Sequence, residues 1–60
     1  MIVLGIDPGT IKLGYGVIKI ENNQFNVLDS GTIFAKPSWK IHKRLSIMLV
    51  EIENIIQKFS

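Results

Sequence analysis

The 60-residue sequence predicts an α/β fold in which three antiparallel strands are followed by one helix. A nearly continuous apolar run, Met1–Ile6, ends at Asp7-Pro8-Gly9. Two further segments alternate in the manner of strands and are separated by the polar stretch Glu21–Gln24. Beyond residue 38 the apolar spacing changes to the period of a helix. The predicted order is therefore β-β-β-α, a three-stranded meander covered on one face by the helix.

The first segment, Met1–Ile6, has the pattern of a strand that is buried on both faces, which predicts a position at the centre of a sheet. Pro8 and Gly9 end this strand in a turn, because proline fixes φ and glycine adopts conformations that other residues avoid. One edge of this central strand has no partner among the 60 residues. We therefore expect residues 1–60 to be the N-terminal portion of a larger, incomplete domain.

The second and third strands are predicted at Leu13–Ile20 and Phe25–Phe34, joined by a hairpin turn. Gly14 and Gly16 project from the same face of the second strand. They leave that face open, so that a packed helix or a ligand can approach the backbone closely.

The helix is predicted at Trp39–Phe59, with Ser38 as its N-cap after a break at residues 35–38. Its apolar side chains form one stripe at about 100° per residue, typical of an amphipathic helix. The stripe consists of Ile41, Leu45, Met48, Leu49, Ile52, Ile55, Ile56 and Phe59. We expect Met48, Trp39 and Tyr15 to belong to the core.

Composition excludes several classes of protein. The hydrophobic fraction of 47% is too high for a disordered chain, and the absence of cysteine excludes a disulfide framework or a thiolate zinc site. No apolar run approaches the roughly 20 residues that a transmembrane helix requires. A net charge of +2 is too small to identify a partner. A cytoplasmic setting is the simplest expectation.

Asp7 is the candidate catalytic and metal-binding residue. A carboxylate at the end of an apolar strand needs a cation or hydrogen-bond donors. Magnesium binds oxygen ligands, commonly one or two carboxylates with water and substrate phosphate, and pairs of such ions hydrolyse phosphodiesters. An aspartate before Pro-Gly is equally typical of a turn in which the side chain caps the backbone two positions on. One carboxylate cannot form a two-metal site, so the residues alone leave both interpretations open.

A basic group near the predicted helix start, Lys40, Lys43 and Arg44, is the candidate nucleic-acid contact. Helix N-termini normally favour acidic side chains, so cations at this position indicate a nearby phosphate. The alternative is a set of solvated side chains, which is the commoner meaning of such a run. His42 is expected at the surface, since no second histidine or acid lies at ligand spacing.

The blocks GIDPGT at residues 5–10 and GYGVI at 14–18, followed by Arg44-Leu45 and the apolar helix, resemble the opening of the RuvC family of Holliday junction resolvases. The resemblance covers essentially the whole chain. It implies a ribonuclease H-like fold and a dimeric endonuclease that nicks four-way DNA junctions symmetrically in recombination and repair. It also implies Mg²⁺ as cofactor, with Mn²⁺ as an alternative, and the branch-migration machinery as a further partner. The catalytic, metal-binding aspartate of the family corresponds to Asp7.

The sequence departs from the family pattern at two positions, with Thr10 where serine is usual and Leu13 where threonine is commoner. The family's other catalytic carboxylates lie on later elements, beyond residue 60. Glu51 and Glu53 lie on the predicted helix and are not expected to replace them. Residues 1–60 alone are therefore expected to be inactive.

Three alternatives remain open at the level of sequence. The main one is the phosphate-binding part of an actin- or sugar-kinase-like ATPase, whose first loop also follows an apolar strand with Gly-Ile-Asp and Gly-Thr. Pro8 opposes it, because proline removes one amide donor from that loop. The others are a resolvase-like relative that acts in RNA processing and a purely structural interaction fragment.

Overall fold

The structure, a computed structural model, describes all 60 residues. Its elements are strand β1 (Ile2–Asp7), strand β2 (Lys12–Glu21), strand β3 (Gln24–Phe34) and helix α1 (Ile41–Phe59). The strands form one antiparallel sheet in the order β1-β2-β3. The predicted β-β-β-α order is confirmed, with strand boundaries shifted by about one residue.

Strand β1 lies at an edge of this three-stranded sheet, so one of its sides has no partner among residues 1–60, as predicted. It pairs only with β2, in a register from Ile2 opposite Lys19 to Asp7 opposite Gly14. Ile2 is 47% exposed and Ile6 is 44% exposed. The apolar run has the composition of a central strand, but β2 is the strand with neighbours on both sides.

The hairpin between β2 and β3 turns at Asn22 and Asn23, as predicted. Their φ angles are 52° and 62°, the positive values that a two-residue type I′ turn requires at both central positions. Further along the hairpin, Ile18 pairs with Val27 whereas Val17 pairs with Asp29. Leu28 is therefore one extra residue in β3, a β-bulge that shifts the register of everything beyond it.

The two faces of the sheet differ in what covers them. Side chains alternate along a strand, so Leu13, Tyr15 and Val17 of β2 all point towards α1, and we name this side the helix face. The other side, which we name the open face, includes Gly14 and Gly16 and is covered by no element of the structure. The prediction that the helix covers one face of the meander is confirmed.

The core lies between the helix face and α1. Leu13, Ala35 and Met48 are buried there, and Tyr15, Ile33, Trp39 and Ile52 pack around them in partly buried positions. The core placement of Met48 is confirmed, and Tyr15 and Trp39 lie at its margin. Leu45 and Leu49 remain 51% and 57% exposed, so α1 is only partly covered along its apolar stripe.

Helix α1 begins at Ile41 with Lys40 as N-cap, so the predicted N-cap at Ser38 is wrong. The Lys40 carbonyl accepts the N–H groups of Lys43 and Arg44 at 3.0 and 3.1 Å, which sets the first turn. Ser38 lies two residues earlier, in a separate turn closed by a bond from Trp39 N–H to the Lys36 carbonyl. Helix α1, the one helix of the structure, is not long and apolar enough to cross a membrane.

Candidate metal and nucleic-acid site

Asp7 is the last residue of β1 and lies on the open face. Its cross-strand neighbour is Gly14, which in turn is paired with Thr32 of β3. The row Asp7–Gly14–Thr32 therefore crosses the sheet with no side chain at its centre. Asp7 and Thr32 line the two sides of the resulting gap.

The carboxylate of Asp7 is exposed and has no partner within the protein. The single ion pair of the structure joins Lys19 to Glu21, and none of the side-chain hydrogen bonds involves Asp7. The alternative of an aspartate that caps its own turn is therefore wrong, because no amide donates to the carboxylate. All of its oxygen lone pairs are available to an external ligand.

A groove of about 500 Å³ surrounds this carboxylate. It is lined by the end of β1, by the connection to β2 and by one residue of β3, namely Asp7, Pro8, Gly9, Thr10, Ile11, Lys12, Gly14 and Thr32. Ile11 is the only residue of this lining counted as hydrophobic. The groove thus joins a carboxylate, an ammonium group, hydroxyl groups and exposed backbone, the composition of a site for a hydrated cation and a phosphate.

The predicted opening at Gly14 and Gly16 is confirmed. A methyl group at Gly14 would lie 3.7 Å from the Cβ of Asp7, and one at Gly16 would meet nothing within 4 Å. Helix α1 lies on the opposite side of the sheet, so it is not the element for which these glycines leave room. Within residues 1–60 the open face is free for a ligand.

The connection from β1 to β2, Pro8–Ile11, is narrow at Gly9. A Cβ at that position would lie 2.5 Å from the backbone oxygen of Lys12, closer than real Cβ contacts allow. Only glycine fits without a shift of the loop that follows Asp7. The predicted turn at Pro8-Gly9 is confirmed, and its glycine is required by close approach to the backbone.

Two bonds from distant parts of the chain hold the same connection. The N–H of Ala35 donates to the Ile11 carbonyl at 2.7 Å, and Nη1 of Arg44 donates to the Thr10 carbonyl at 3.3 Å. Nε of Arg44 also donates to the Trp39 carbonyl at 3.1 Å. Arg44 thus brings the start of α1 to the end of the sheet where Asp7 lies.

Of the predicted basic group, Arg44 is half-buried and bonded to the protein, whereas Lys40 and Lys43 are exposed. The Lys43 ammonium lies 4.6 Å from the centroid of the Trp39 ring, and that of Lys36 lies 5.8 Å from it. Both distances are within the range of a cation–π contact. The ammonium groups keep their N–H donors free for an anion, and the first turn of α1 contains no acidic residue that would compete.

The groove contains only part of the ligand set that a metal ion needs. No group of three or more histidine, cysteine, aspartate or glutamate side chains lies close enough to hold an ion together. The donor set fits one carboxylate ligand of a magnesium site, with the rest of the coordination supplied from elsewhere. Glu51 lines a depression beside Tyr15 and Phe34, and neither it nor Glu53 is part of the groove, as expected.

Lys12 and Thr32 are groove residues that the sequence did not identify. Thr32 reaches the open face because of the bulge at Leu28. In an unbulged hairpin the register from Glu21–Gln24 would place Gly31 opposite Gly14 and turn Thr32 to the helix face. The sequence offered only one indication of Lys12, namely a positively charged residue directly before the predicted second strand.

Comparison with known proteins identifies the family to which nearly the whole chain is similar. The family model described as crossover junction endodeoxyribonuclease RuvC matches residues 3–60. A protein of that name from Ruminiclostridium cellulolyticum is 48% identical over 59 residues, which cover 98% of this chain and 36% of the relative. Its namesake from Chlorobium chlorochromatii is 44% identical over 59 residues, 98% of this chain and 31% of the relative. The chain thus spans about a third of the length of these relatives, and no solved structure matches it.

Proposed function

The chain belongs to the RuvC family of crossover junction endodeoxyribonucleases, and from that premise we propose that it forms the first catalytic strand of a DNA junction-cleaving enzyme. The fold is accordingly ribonuclease H-like, with β1, β2, β3 and α1 as its opening elements. We use "full-length protein" below for a chain of the relatives' length that contains residues 1–60. The proposed substrate is four-way DNA, and the proposed reaction is hydrolysis of a phosphodiester bond in recombination and repair.

One observation carries the proposal: the Asp7 carboxylate is unpaired and faces an open groove at the end of its strand. A charged group that is exposed and has no protein partner contributes little to the stability of the fold, and its oxygens are free to bind a ligand. Asp7 would hold Mg²⁺, or Mn²⁺, as one of several ligands. The bound ion would supply activation of water and stabilisation of the leaving oxygen.

The other groove residues would act on the substrate. Lys12 carries a positive charge at the groove, where it would attract a phosphate. Gly14 and Gly16 leave space for the DNA backbone to approach the sheet. Lys40, Lys43 and Arg44 extend the positive charge along the start of α1 as proposed nucleic-acid contacts.

Further features of the proposal come from the family resemblance. We propose a homodimer that nicks the junction symmetrically, the branch-migration machinery as a partner, and the cytoplasm as the setting. The missing metal ligands would come from outside residues 1–60, so these residues alone would not cleave DNA. Sedimentation of the full-length protein tests the proposed dimer. We expect a molecular mass twice that of one chain.

Cleavage of a labelled four-way junction in Mg²⁺ tests the proposed activity, with a linear duplex of the same sequence as control substrate. We expect the full-length protein to cut the junction and the D7N variant to be slower by about 1,000-fold, since metal stabilisation of the transition state is worth several kcal/mol. Junction binding should remain largely intact in D7N, because one ligand is lost while the phosphate contacts are kept.

Asp29→Asn is the matched control, since it makes the same chemical change on the helix face, where Asp29 contacts Tyr15. D29N should cut junctions at the wild-type rate. Wild-type speed in D7N would remove Asp7 from the mechanism. A full-length protein that binds ATP and leaves junctions uncut would instead support the ATPase alternative.

A further inference from the structure

We infer that Arg44 is a positioning residue for the reaction: it fixes the connection after Asp7 to the start of α1 and thereby holds the metal-binding carboxylate in place. The inference rests on the proposed function of the Asp7 groove. It gives Arg44 a role in addition to the phosphate contact proposed for the basic group as a whole.

The geometry of the guanidinium group carries this inference. Nη1 donates to the Thr10 carbonyl at 3.3 Å and Nε donates to the Trp39 carbonyl at 3.1 Å. One rigid planar group therefore joins two backbone segments that are 29 residues apart in sequence. Arginine suits this task because its donors form a fixed fork, whereas lysine presents a single rotating ammonium group.

The connection has little else to hold it. Pro8 has no N–H to donate, and no backbone hydrogen bond closes the connection between Asp7 and Lys12 on itself. Its second tie is the bond from Ala35 N–H to the Ile11 carbonyl. The carbonyls of Thr10 and Ile11 are thus held by two different parts of the chain, and Arg44 is the only side chain among the donors.

Loss of the Arg44 tie would act on Asp7 through a short stretch of chain. Thr10 is three residues from Asp7, and Gly9 between them is already tight against Lys12. A freed Thr10 carbonyl would allow the end of β1 to move relative to the groove. A displacement of about 1 Å in a catalytic group costs roughly 100-fold in rate.

Arg44→Lys in the full-length protein separates positioning from charge, because lysine keeps the charge but cannot bridge both carbonyls. We expect single-turnover cleavage at saturating junction to fall about 10- to 100-fold. Junction affinity should stay within about twofold, and the slope of log affinity against log salt should not change. A residue that neutralises one phosphate contributes about 0.9 to that slope.

Two comparison variants calibrate the measurement. Lys43→Gln should reduce the salt slope by about 1 if Lys43 contacts a phosphate, which shows that the assay detects such a contact. Lys58→Gln, at the last turn of α1, should leave cleavage and binding unchanged. Wild-type cleavage by R44K, or a lower salt slope with an unchanged single-turnover rate, would overturn the inference.

Amide hydrogen exchange gives a readout that does not depend on cleavage. The Ala35 N–H is protected by the Ile11 carbonyl, so its exchange should accelerate in R44K and not in K58Q if Arg44 holds the connection. Unchanged exchange at Ala35 would overturn the positioning role even if the protein proved not to be a junction nuclease. Failure of the wild type to cut junctions, with accelerated exchange in R44K, would reject only the proposed function.

Chemical rescue covers the case in which R44K is too unstable to assay. Propylguanidinium added to R44A should restore cleavage, and the same concentration of propylammonium should not. Equal effects of the two compounds would contradict a role for the guanidinium fork.

Discussion

The two faces of the sheet are built from alternate residues of the same strands, yet they serve different purposes. On the helix face, Leu13 and Val17 of β2 are buried with 5% and 1% exposure. On the open face, Gly14 and Gly16 of the same strand carry no side chain, and Asp7 has no partner. One face carries the buried core, and the other has open space beside an exposed carboxylate. Stability and activity should therefore respond to different substitutions.

The bulge at Leu28 connects the two faces. By shifting the register it brings Thr32 to the open face beside Gly14, and it turns Gly31 to the helix face. A Cβ at Gly31 would lie 3.0 Å from the Tyr15 hydroxyl, so a larger residue there would have to displace the Tyr15 ring by a few tenths of an ångström. One inserted residue thus places a hydroxyl group in the groove and a glycine beside Tyr15.

Met48→Ala should cause the largest loss of stability, because Met48 is 2% exposed at the centre of the helix face. We expect a loss of about 2–5 kcal/mol in the free energy of unfolding, measured by urea denaturation of the full-length protein. Its neighbour Leu49, 57% exposed, provides the control: Leu49→Ala should cost much less. Below its unfolding transition, M48A should still cut junctions.

Gly14→Val tests the open face and should reduce cleavage without a large loss of stability, the opposite of the effect expected for Met48→Ala. A valine fills the space between Asp7 and Thr32, so cleavage should fall by roughly 100-fold while the unfolding midpoint changes little. Gly14→Ala should be milder, because a methyl group meets the Asp7 Cβ at the ordinary distance of 3.7 Å. A valine variant that loses stability but cuts normally would reverse the roles of the two faces.

Asn23→Ala tests the hairpin turn, which lies away from the groove at the other end of β2. Alanine at a φ of 62° should destabilise the full-length protein by about 1 kcal/mol, whereas Asn23→Gly should be tolerated. Thermal unfolding measures both, with Asn26→Ala in β3 as control. Neither turn variant should alter cleavage at a temperature where the protein is folded.

The smallest effect concerns the pKa of Tyr15 on the helix face. Partial burial raises this pKa above its ordinary value, and the Asp29 carboxylate, 3.4 Å from the hydroxyl, raises it further, with Glu51 also contributing. The folded state thus keeps the proton to higher pH than the unfolded state, so stability declines as pH rises from the ordinary tyrosine value through the raised one. D29N should lower the pKa, as followed by the chemical shift of Tyr15 Cζ. A titration of Tyr15 identical in D29N and wild type would show that the contact is absent in solution.

Local patterns predicted much of this molecule. The Asn-Asn turn, the alternation of β2 and the helical stripe identify the element order. The resemblance at GIDPGT and GYGVI identifies Asp7 as the candidate metal-binding residue. The helix start was predicted too early, because Ser38 is a good capping residue that here belongs to a preceding turn. The free edge of β1 was predicted from the order of the elements, whereas its apolar run indicates a strand suited to neighbours on both sides.

The remaining site residues depend on long-range geometry. Thr32 enters the groove through a bulge that alternation does not reveal, and Arg44 contacts a carbonyl 34 residues away. A run of basic residues indicates charge, but it does not show which member is bonded to the backbone. The metal-binding role of Asp7 and the DNA contacts of Lys40, Lys43 and Arg44 remain predictions.

Binding of Mn²⁺ to the isotope-labelled full-length protein tests the central claim most directly, because the ion broadens the NMR signals of nearby nuclei. At a metal concentration that half-saturates the wild type, we predict broadening centred on Asp7, Gly14 and Thr32, unchanged in D29N and lost in D7N. Broadening that persists at these positions in D7N, or that centres on the helix face around Asp29 and Glu51, would contradict the assignment of Asp7 as a metal ligand.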